Sequence, residues 1–331
     1  MEKYLAFEVT QVDNVFSRGL IPKEHVKLKE NHVKIKVAYS DVNYKDALAS
    51  SKNGGVIREY PMIPGIDLAG EIVESMTDEW PVGKQVLVTG YGLGVTRHGG
   101  FSQYQQVPVE WLVALPEALS TKDAMIYGTA GFTAALAVTA LEKAHYNKES
   151  RIVVTGASGG VGSLAIAFLH QLGYQNITAV SRKKEQVDWL QTIGATTIVH
   201  PDELVSGKPK ALAKQSMTAI IDTVGGELLT GLLPQLNYGG SAYLCGNAGG
   251  IQLNTTVLPF ILRGIQVVGI DSVNVDMPTR QVIWDFLATH RAVLEQVTYQ
   301  EILLSELDET IEALLEGVHQ GRTIVKAEVK P

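Results

Sequence analysis

Cysteine is almost absent. Cys245 is the only one in 331 residues, which rules out an internal disulfide and any site built from several thiolates. Charge is sparse as well, at 19% charged against 45% hydrophobic residues, the balance of an ordinary globular chain and not of a disordered one. Basic residues nowhere form a block long enough to track a polyanion, and the formal net charge is −7, so nucleic acid is not an expected partner. No apolar run approaches the ~18 residues of a membrane span. The start, Met-Glu-Lys-Tyr-Leu-Ala-Phe-Glu-Val, alternates like a strand and has no signal-peptide core. A cytoplasmic protein without a membrane partner is expected.

What is present divides by pattern. The length suits two domains. From Met1 to about Ser120, short β-type patterns at Tyr4–Val9, His32–Tyr39, Leu68–Val73, Gln85–Thr89 and Tyr104–Pro108 predict a β-rich barrel. Ser120-Thr121-Lys122-Asp123 then fits a capping box, opening Ala-rich sequence from Ala124 to Ala144. Beyond Arg151 the order is strand, glycine turn, helix, strand, a βαβ unit ending at Ser181. Strands at Thr197–Val199, Ala219–Asp222, Ser241–Cys245 and Gln266–Gly269 extend it to about six strands of a doubly wound parallel sheet. The tail offers a helix at Arg280–His290, another capped by Ser305-x-x-Asp308 and running to about His319, and a strand at Thr323–Val329. The expected division is α/β, with residues 1–123 completed by 273–331 as the catalytic domain and 124–272 as the dinucleotide domain.

The strongest chemical signal is Val153-Val154-Thr155-Gly156-Ala157-Ser158-Gly159-Gly160-Val161-Gly162, between a β-branched strand and an apolar helix. In a dinucleotide fingerprint Ala157 takes the first glycine position, Gly159 lets the backbone approach a pyrophosphate and Gly162 allows helix and strand to close. Helix-start N–H groups about Ser158, Gly160 and Val161 would meet phosphate oxygens. NAD-specific sites carry an acid about 20 residues on, for the ribose 2′-hydroxyl. This chain has Ser181-Arg182-Lys183 there, which suits a 2′-phosphate and so NADPH. The alternative is that Arg182 and Lys183 are solvated surface cations opening a helix.

The same order of domains, together with Asn43-Tyr44-Lys45-Asp46-Ala47-Leu48, Pro61-Met62-Ile63-Pro64-Gly65-Ile66-Asp67, Gly128-Thr129-Ala130-Gly131-Phe132-Thr133-Ala134, Asp222-Thr223-Val224-Gly225 and Asn237-Tyr238-Gly239-Gly240, resembles the zinc-independent medium-chain dehydrogenase/reductase superfamily. Within it the chain is similar to the quinone oxidoreductase family and its acryloyl-CoA reductase (YhdH/YhfP-type) subgroup, almost end to end. The resemblance implies a GroES-like barrel plus a Rossmann domain, a homodimer, and an NADPH-dependent reductase that passes a hydride to an activated C=C bond or a quinone. An NADPH-binding sensor or structural protein without turnover is the competing reading. Zinc-dependent relatives have a His-Glu pair where this chain has Ile66-Asp67, and Ile66 offers zinc no donor.

The resemblance also sets Asn43 and Tyr44 at the nicotinamide. Tyr44 could give its phenolic proton to the developing enolate or hold the nicotinamide ribose, and Asn43 could offer an amide N–H. A packing role for Tyr44 remains open. Asp67 is expected to orient Asn43 or Lys45, with a turn-capping role as the alternative. Asn247 and Ser272 should border the nicotinamide beyond the strand ends, with Ile261 as an apolar wall. Arg322 would reach the pyrophosphate or make a surface ion pair. The acceptor is a small molecule, expected against Tyr91–Gly94 and Gly99–Phe101, with Lys52 and Arg58 either meeting a CoA phosphate or remaining free loop cations. His98 reads as a loop residue and Cys245 as a buried core thiol.

Overall fold

A computed structural model describes residues 3–13, 15–205, 207 and 210–329. The chain divides into two units, one built on Met1–Thr129, Val273–Leu294 and Thr298–Pro331, the other on Ala130–Ser272 with Glu295–Val297.

The first unit opens with a two-stranded ribbon, β1 (Lys3–Val12) antiparallel to β2 (Val15–Glu24). The second of these strands was not expected; it contains Gly19 and Pro22, residues that usually interrupt strands. A ribbon strand has one unpaired edge, so Pro22 can face Leu5 without costing a central ladder bond. Ala6, Phe7 and Val9 of β1 are buried with Val42, Ile63, Phe101 and Val325 in one apolar cluster.

β3 (His32–Asp41) is the pivot of a seven-stranded sheet. It pairs antiparallel with β4 (Asp67–Glu74) and with β6 (Tyr104–Pro108), and α1 (Tyr44–Ala49) follows it. β5 (Gln85–Thr89) lies between β4 and the short β7 (Val113–Ala114). Alternate residues Val33, Ile35 and Val37 face a core with Leu68, Ile72, Val86 and Val88, the period-2 burial of a half-buried sheet.

The helix α2 (Thr121–Glu142) starts on the expected box: the Ser120 N–H donates to Asp123 Oδ2 at 3.0 Å and the Asp123 N–H to Ser120 Oγ at 3.0 Å. Its course breaks at Gly128, with φ 50° and ψ −156°. By length and composition it could cross a membrane, but 78% of its most apolar stretch is buried, which makes it a core helix.

The second unit alternates strand and helix: β8 (Ile152–Val154), α3 (Gly160–Gln171), β9 (Ile177–Val180), α4 (Val187–Thr192), β10 (Thr197–Val199), α5 (Pro201–Leu204), β11 (Met217–Asp222), α6 (Gly226–Leu232), β12 (Leu236–Leu244), α7 (Leu258–Arg263) and β13 (Gln266–Gly269). All pairings are parallel, in the order β10-β9-β8-β11-β12-β13. That order reverses between β8 and β11, the switch point of a Rossmann sheet. β8 and β9 are fully buried, which is why they read as continuous apolar runs.

The chain then returns to the first unit with α8 (Met277–Thr289), β14 (Tyr299–Leu303), α9 (Leu307–Leu315) and β15 (Arg322–Lys326). Asp276 caps α8, accepting the Thr279 N–H at 2.9 Å. Neither the Ser305 cap nor the extension of α9 to His319 is found: Glu306 holds the Leu303 N–H, and Gly317 turns to φ 72°. β15 runs antiparallel to β3 with Ile324 opposite Asp41. Continuing that register by two residues sets Arg322 opposite Asn43.

Candidate active site

In the β-rich unit the end of β3 and the start of α1 form a polar cluster whose carboxylates are buried. Asn43 is the N-cap of α1, and its N–H donates to Asp46 Oδ2 at 2.9 Å. The other carboxylate oxygen of Asp46 accepts the N–H groups of Gly65 (3.1 Å) and Ile66 (2.9 Å). One residue thus ties the helix start to the Pro64–Asp67 segment. The side chain of Asn43 is committed too: Nδ2 donates to Asp41 Oδ1 and to Asp67 Oδ2, each at 2.8 Å. Asp67 also accepts the Thr129 N–H at 2.7 Å and the Thr129 hydroxyl at 2.6 Å. Arg322 completes the cluster with an ion pair to Asp41 and a 2.9 Å bond from Nε to the Ile126 carbonyl.

Asp41, Asp46 and Asp67 are 0% exposed and Arg322 is 2% exposed. Three carboxylates share one guanidinium, so some negative charge is uncompensated in a dry site. Burial first, and then the Asp67 charge, push the Asp41 carboxyl well above its usual range against the pull of Arg322. Burial raises Asp46 to about 7 in spite of its N–H donors. Gly128 is required here: a Cβ on it would stand 1.6 Å from Asp41 Oδ2.

Three expectations are corrected by this geometry. Asn43 has two amide hydrogens and both are spent on carboxylates, so it positions and does not offer an N–H to an acceptor. Arg322 is neither a surface ion pair nor a pyrophosphate ligand, because its guanidinium is buried on Asp41. Tyr44 is not a packed aromatic with a satisfied hydroxyl: it is 42% exposed at the first turn of α1, and its hydroxyl makes no hydrogen bond among the described residues. Asp67 contacts Asn43, not Lys45. Sequence reasoning missed Asp41, Asp46, Gly128 and Thr129. The spacing Asn43-x-x-Asp46 carried a capping signal for one of them.

A stacked trio stands in the same unit. Tyr91 lies parallel to Trp111 with ring centroids 5.4 Å apart, and the Arg280 guanidinium sits 4.5 Å from the Tyr91 centroid. Buried Arg280 also donates to the carbonyl and hydroxyl of Thr89 at 2.8 Å. These contacts fix the Tyr91–Gly94 loop.

In the nucleotide unit the turn after β8 has Gly156 at φ 58°, where a Cβ would be 2.1 Å from Thr223 Oγ1. At Gly162 a Cβ would be 2.4 Å from the Gly156 carbonyl, so the glycine lets α3 close on the turn. Gly159 is the N-cap of α3, and the N–H groups of Gly160 and Val161 have no acceptor within the helix. Ser158 is nearly buried beside them. Thr155 and Asp222 join the ends of β8 and β11 through a 2.6 Å hydroxyl to carboxylate bond, and Gly225 N–H donates to Asp222 at 2.8 Å. This hub holds the switch point together.

Ser181 follows β9, and its hydroxyl oxygen accepts the Lys183 N–H at 3.1 Å while its proton stays available. Arg182 is exposed, and partial burial lowers the Lys183 ammonium. Asn247 is exposed in the Gly246–Gly250 loop, Ile261 is 69% exposed on α7 and Ser272 is half-buried at the unit's end. Cys245 is partly accessible, and its thiol, donating to the Asp222 carbonyl at 3.3 Å, is pushed up to about 12 by burial.

Comparison with known proteins gives the lineage. Residues 29–117 match the alcohol dehydrogenase GroES-like domain and residues 160–289 the family described as zinc-binding dehydrogenase. The chain is 41% identical to acrylyl-CoA reductase AcuI of Ruegeria pomeroyi, over 90% of this chain and 91% of that one. It is 43% identical to YhfP of Bacillus subtilis, provisionally named a quinone oxidoreductase, over 90% and 91%. Among solved structures, the yhdH oxidoreductase of Salmonella enterica in complex with NADP has a TM-score of 0.93 and 42% identity, covering 98% of this chain and 100% of that one. The Bacillus subtilis yhfP structure with NAD bound has a TM-score of 0.94 and 40% identity over the same shares.

The residues present do not suit the metal in the second family description. Ile66 has no donor atom, the Asp67 carboxylate is occupied by Asn43 and Thr129, and no group of three or more His, Cys, Asp or Glu among the described residues could hold an ion. The chain belongs to the quinone oxidoreductase family of the medium-chain dehydrogenases/reductases, with AcuI and YhfP among its relatives.

Proposed function

We propose that the chain is an NADPH-dependent reductase that delivers a hydride to the activated C=C bond of a short enoyl thioester or enone, or to a quinone, without a metal. The observation that carries this reading is Ser181-Arg182-Lys183 directly after β9, where an acid would select the free 2′-hydroxyl of NADH. A 2′-phosphate would instead meet a guanidinium fork, a nearby ammonium and a free hydroxyl proton. The acrylyl-CoA named for AcuI and the NADP in the yhdH complex support the same reading. They do not favour a sensor or structural protein without turnover.

The turn Gly156–Gly162 and the first N–H groups of α3 would hold the pyrophosphate, with Asn247, Ile261 and Ser272 toward the nicotinamide. Bound NADPH supplies the hydride, and negative charge then develops on the acceptor's carbonyl oxygen. Tyr44, exposed and unengaged, is the donor we assign to that oxygen. Asn43 and Asp67 act behind it, fixing the start of α1 on which Tyr44 stands. For a CoA thioester, the exposed cations Lys52 and Arg58 are available to its phosphates.

A homodimer in the cytoplasm fits this reading. β13 is an edge strand, and Val257 and Leu262, shortly before it in the chain, are exposed apolar residues, a surface that a second copy would cover. Sedimentation of the purified protein checks the dimer.

Steady-state rates with acryloyl-CoA, a simple enone and a small quinone, each with NADPH and NADH, test the function. A quinone-only profile removes the thioester, and NADPH binding without turnover on any acceptor removes the enzyme. Tyr44→Phe should lower turnover about 100-fold with little change in KM. An unchanged rate would leave the hydroxyl no part in the chemistry.

A further inference from the structure

A cavity of about 370 Å³ in the β-rich unit takes no part in the reaction above, and its volume falls in the range of small-molecule sites. None of Asp41, Asn43, Asp46, Asp67, Thr129 or Arg322 lines it. On β3 its walls are His32 and Lys34, at the end of the strand away from Asp41, and Met62 and Ile63 line it just before the Pro64–Asp67 segment.

Two features of the lining are unusual together. The first is a ring cluster: the His25 ring centroid is 5.0 Å from Tyr4 and 4.8 Å from Tyr104, and the two tyrosines are 5.6 Å apart. All three rings line the cavity and are half-buried, presenting aromatic surface to whatever enters. The second is cationic charge without partners. Lys29 and Arg97 line the same space and neither is ion-paired among the described residues, whereas the charge of Lys34 is met by Glu74. Glu59 is the one carboxylate in the lining. His98 adds a donor: its Nδ1 accepts the Ile63 N–H at 3.2 Å, so the neutral ring carries its proton on Nε2. Burial lowers the pKa of that ring.

We propose that this cavity is a second ligand site, for a small aromatic anion whose ring packs against Tyr4, His25 and Tyr104 while its phosphate or carboxylate is held by Arg97 and Lys29. Stacking supplies the flat contact and the guanidinium the charge-assisted hydrogen bonds. A ligand with only one of the two halves would bind poorly.

The test is a calorimetric titration of the intact protein with phenyl phosphate, and with inorganic phosphate and phenol as its separate halves. Saturating NADP+ is present so that the nucleotide site is filled. Phenyl phosphate should bind at least about tenfold more tightly than either half, and Arg97→Glu and Tyr104→Ala should each weaken it by about tenfold or more. Arg97 is exposed, so that variant reports even if Tyr104→Ala does not fold. No binding of phenyl phosphate at millimolar concentration, equal binding of inorganic phosphate, or affinity indifferent to Arg97→Glu would each overturn the assignment. None of these readouts depends on turnover, so the proposed reaction stands or falls separately.

Discussion

The two units handle polar chemistry in opposite ways. In the β-rich unit three buried carboxylates and a buried guanidinium are held together with a half-buried amide. In the nucleotide unit the groups we propose for phosphate are backbone N–H groups at a helix start, with Arg182 at the surface after β9 and Lys183 half-buried beside it. A buried network of this kind is coupled, because each member satisfies the others and removing one strands the rest. An exposed binding edge is modular: a side chain can leave it at little cost to the fold. Substitutions in the first region should therefore register mainly as stability, and in the second as affinity.

The largest expected effect lies in the buried network. Gly128→Ala places a Cβ 1.6 Å from Asp41 Oδ2 at a residue with φ 50°, so the backbone and the Asp41–Arg322 pair must both move. A loss of about 4 kcal/mol or more is expected, read as a collapse of the denaturation midpoint or of soluble yield. A variant that melts with the parent would show the network to be looser than its geometry.

Arg322→Met ranks next. It strips the buried Asp41 carboxyl of its guanidinium and the Ile126 carbonyl of its donor, and breaking a buried pair in this way costs about 3–5 kcal/mol. The companion Arg322→Met/Asp41→Asn removes both charges and should recover most of that loss. If the double variant were no more stable than the single one, the pair would not be the unit on which the cluster depends.

These residues also show what the sequence could and could not reveal. β8, β9 and β11 are buried on both faces and read as apolar runs, and a glycine turn between strand and helix has few meanings. The nucleotide unit was legible for that reason. β2 was hidden, because a ribbon edge tolerates the Gly19 and Pro22 that punctuate loops elsewhere. Asp41 and Arg322 are 281 positions apart, and only the antiparallel register of β3 with β15 brings them together. Asn43 was singled out for an amide N–H to offer, yet its neighbours decide that its hydrogens point at carboxylates and not at an acceptor. Nothing local to Asn43-Tyr44 records that.

Titration sharpens the same contrast. Asp46 is held at about 7 in the folded protein against about 3.9 in an unfolded chain, so between those values the native state binds the extra proton. Its contribution to stability is full below the unfolded value and is lost as pH rises through about 7. Asp41, also raised, acts in the same direction. Denaturation midpoints measured from about pH 5 to 8 should fall more steeply in the parent than in Asp46→Asn, which has no proton to lose. A parent no steeper than the variant would mean that Asp46 is ionised throughout.

The smallest effect on the fold should come from the exposed edge, and there the readout changes kind. Arg182→Ala removes a surface guanidinium that makes no ion pair among the described residues, so stability should move by less than about 0.5 kcal/mol. A charge-assisted contact to a phosphate is worth about 1.5–3 kcal/mol, which predicts an affinity for NADPH weaker by roughly 10- to 100-fold. NADH has no 2′-phosphate and should lose almost nothing. Titrating both cofactors against parent and variant separates the terms: equal small losses would move the phosphate contact away from the end of β9, and a large drop in stability would deny that this edge is independent of the fold.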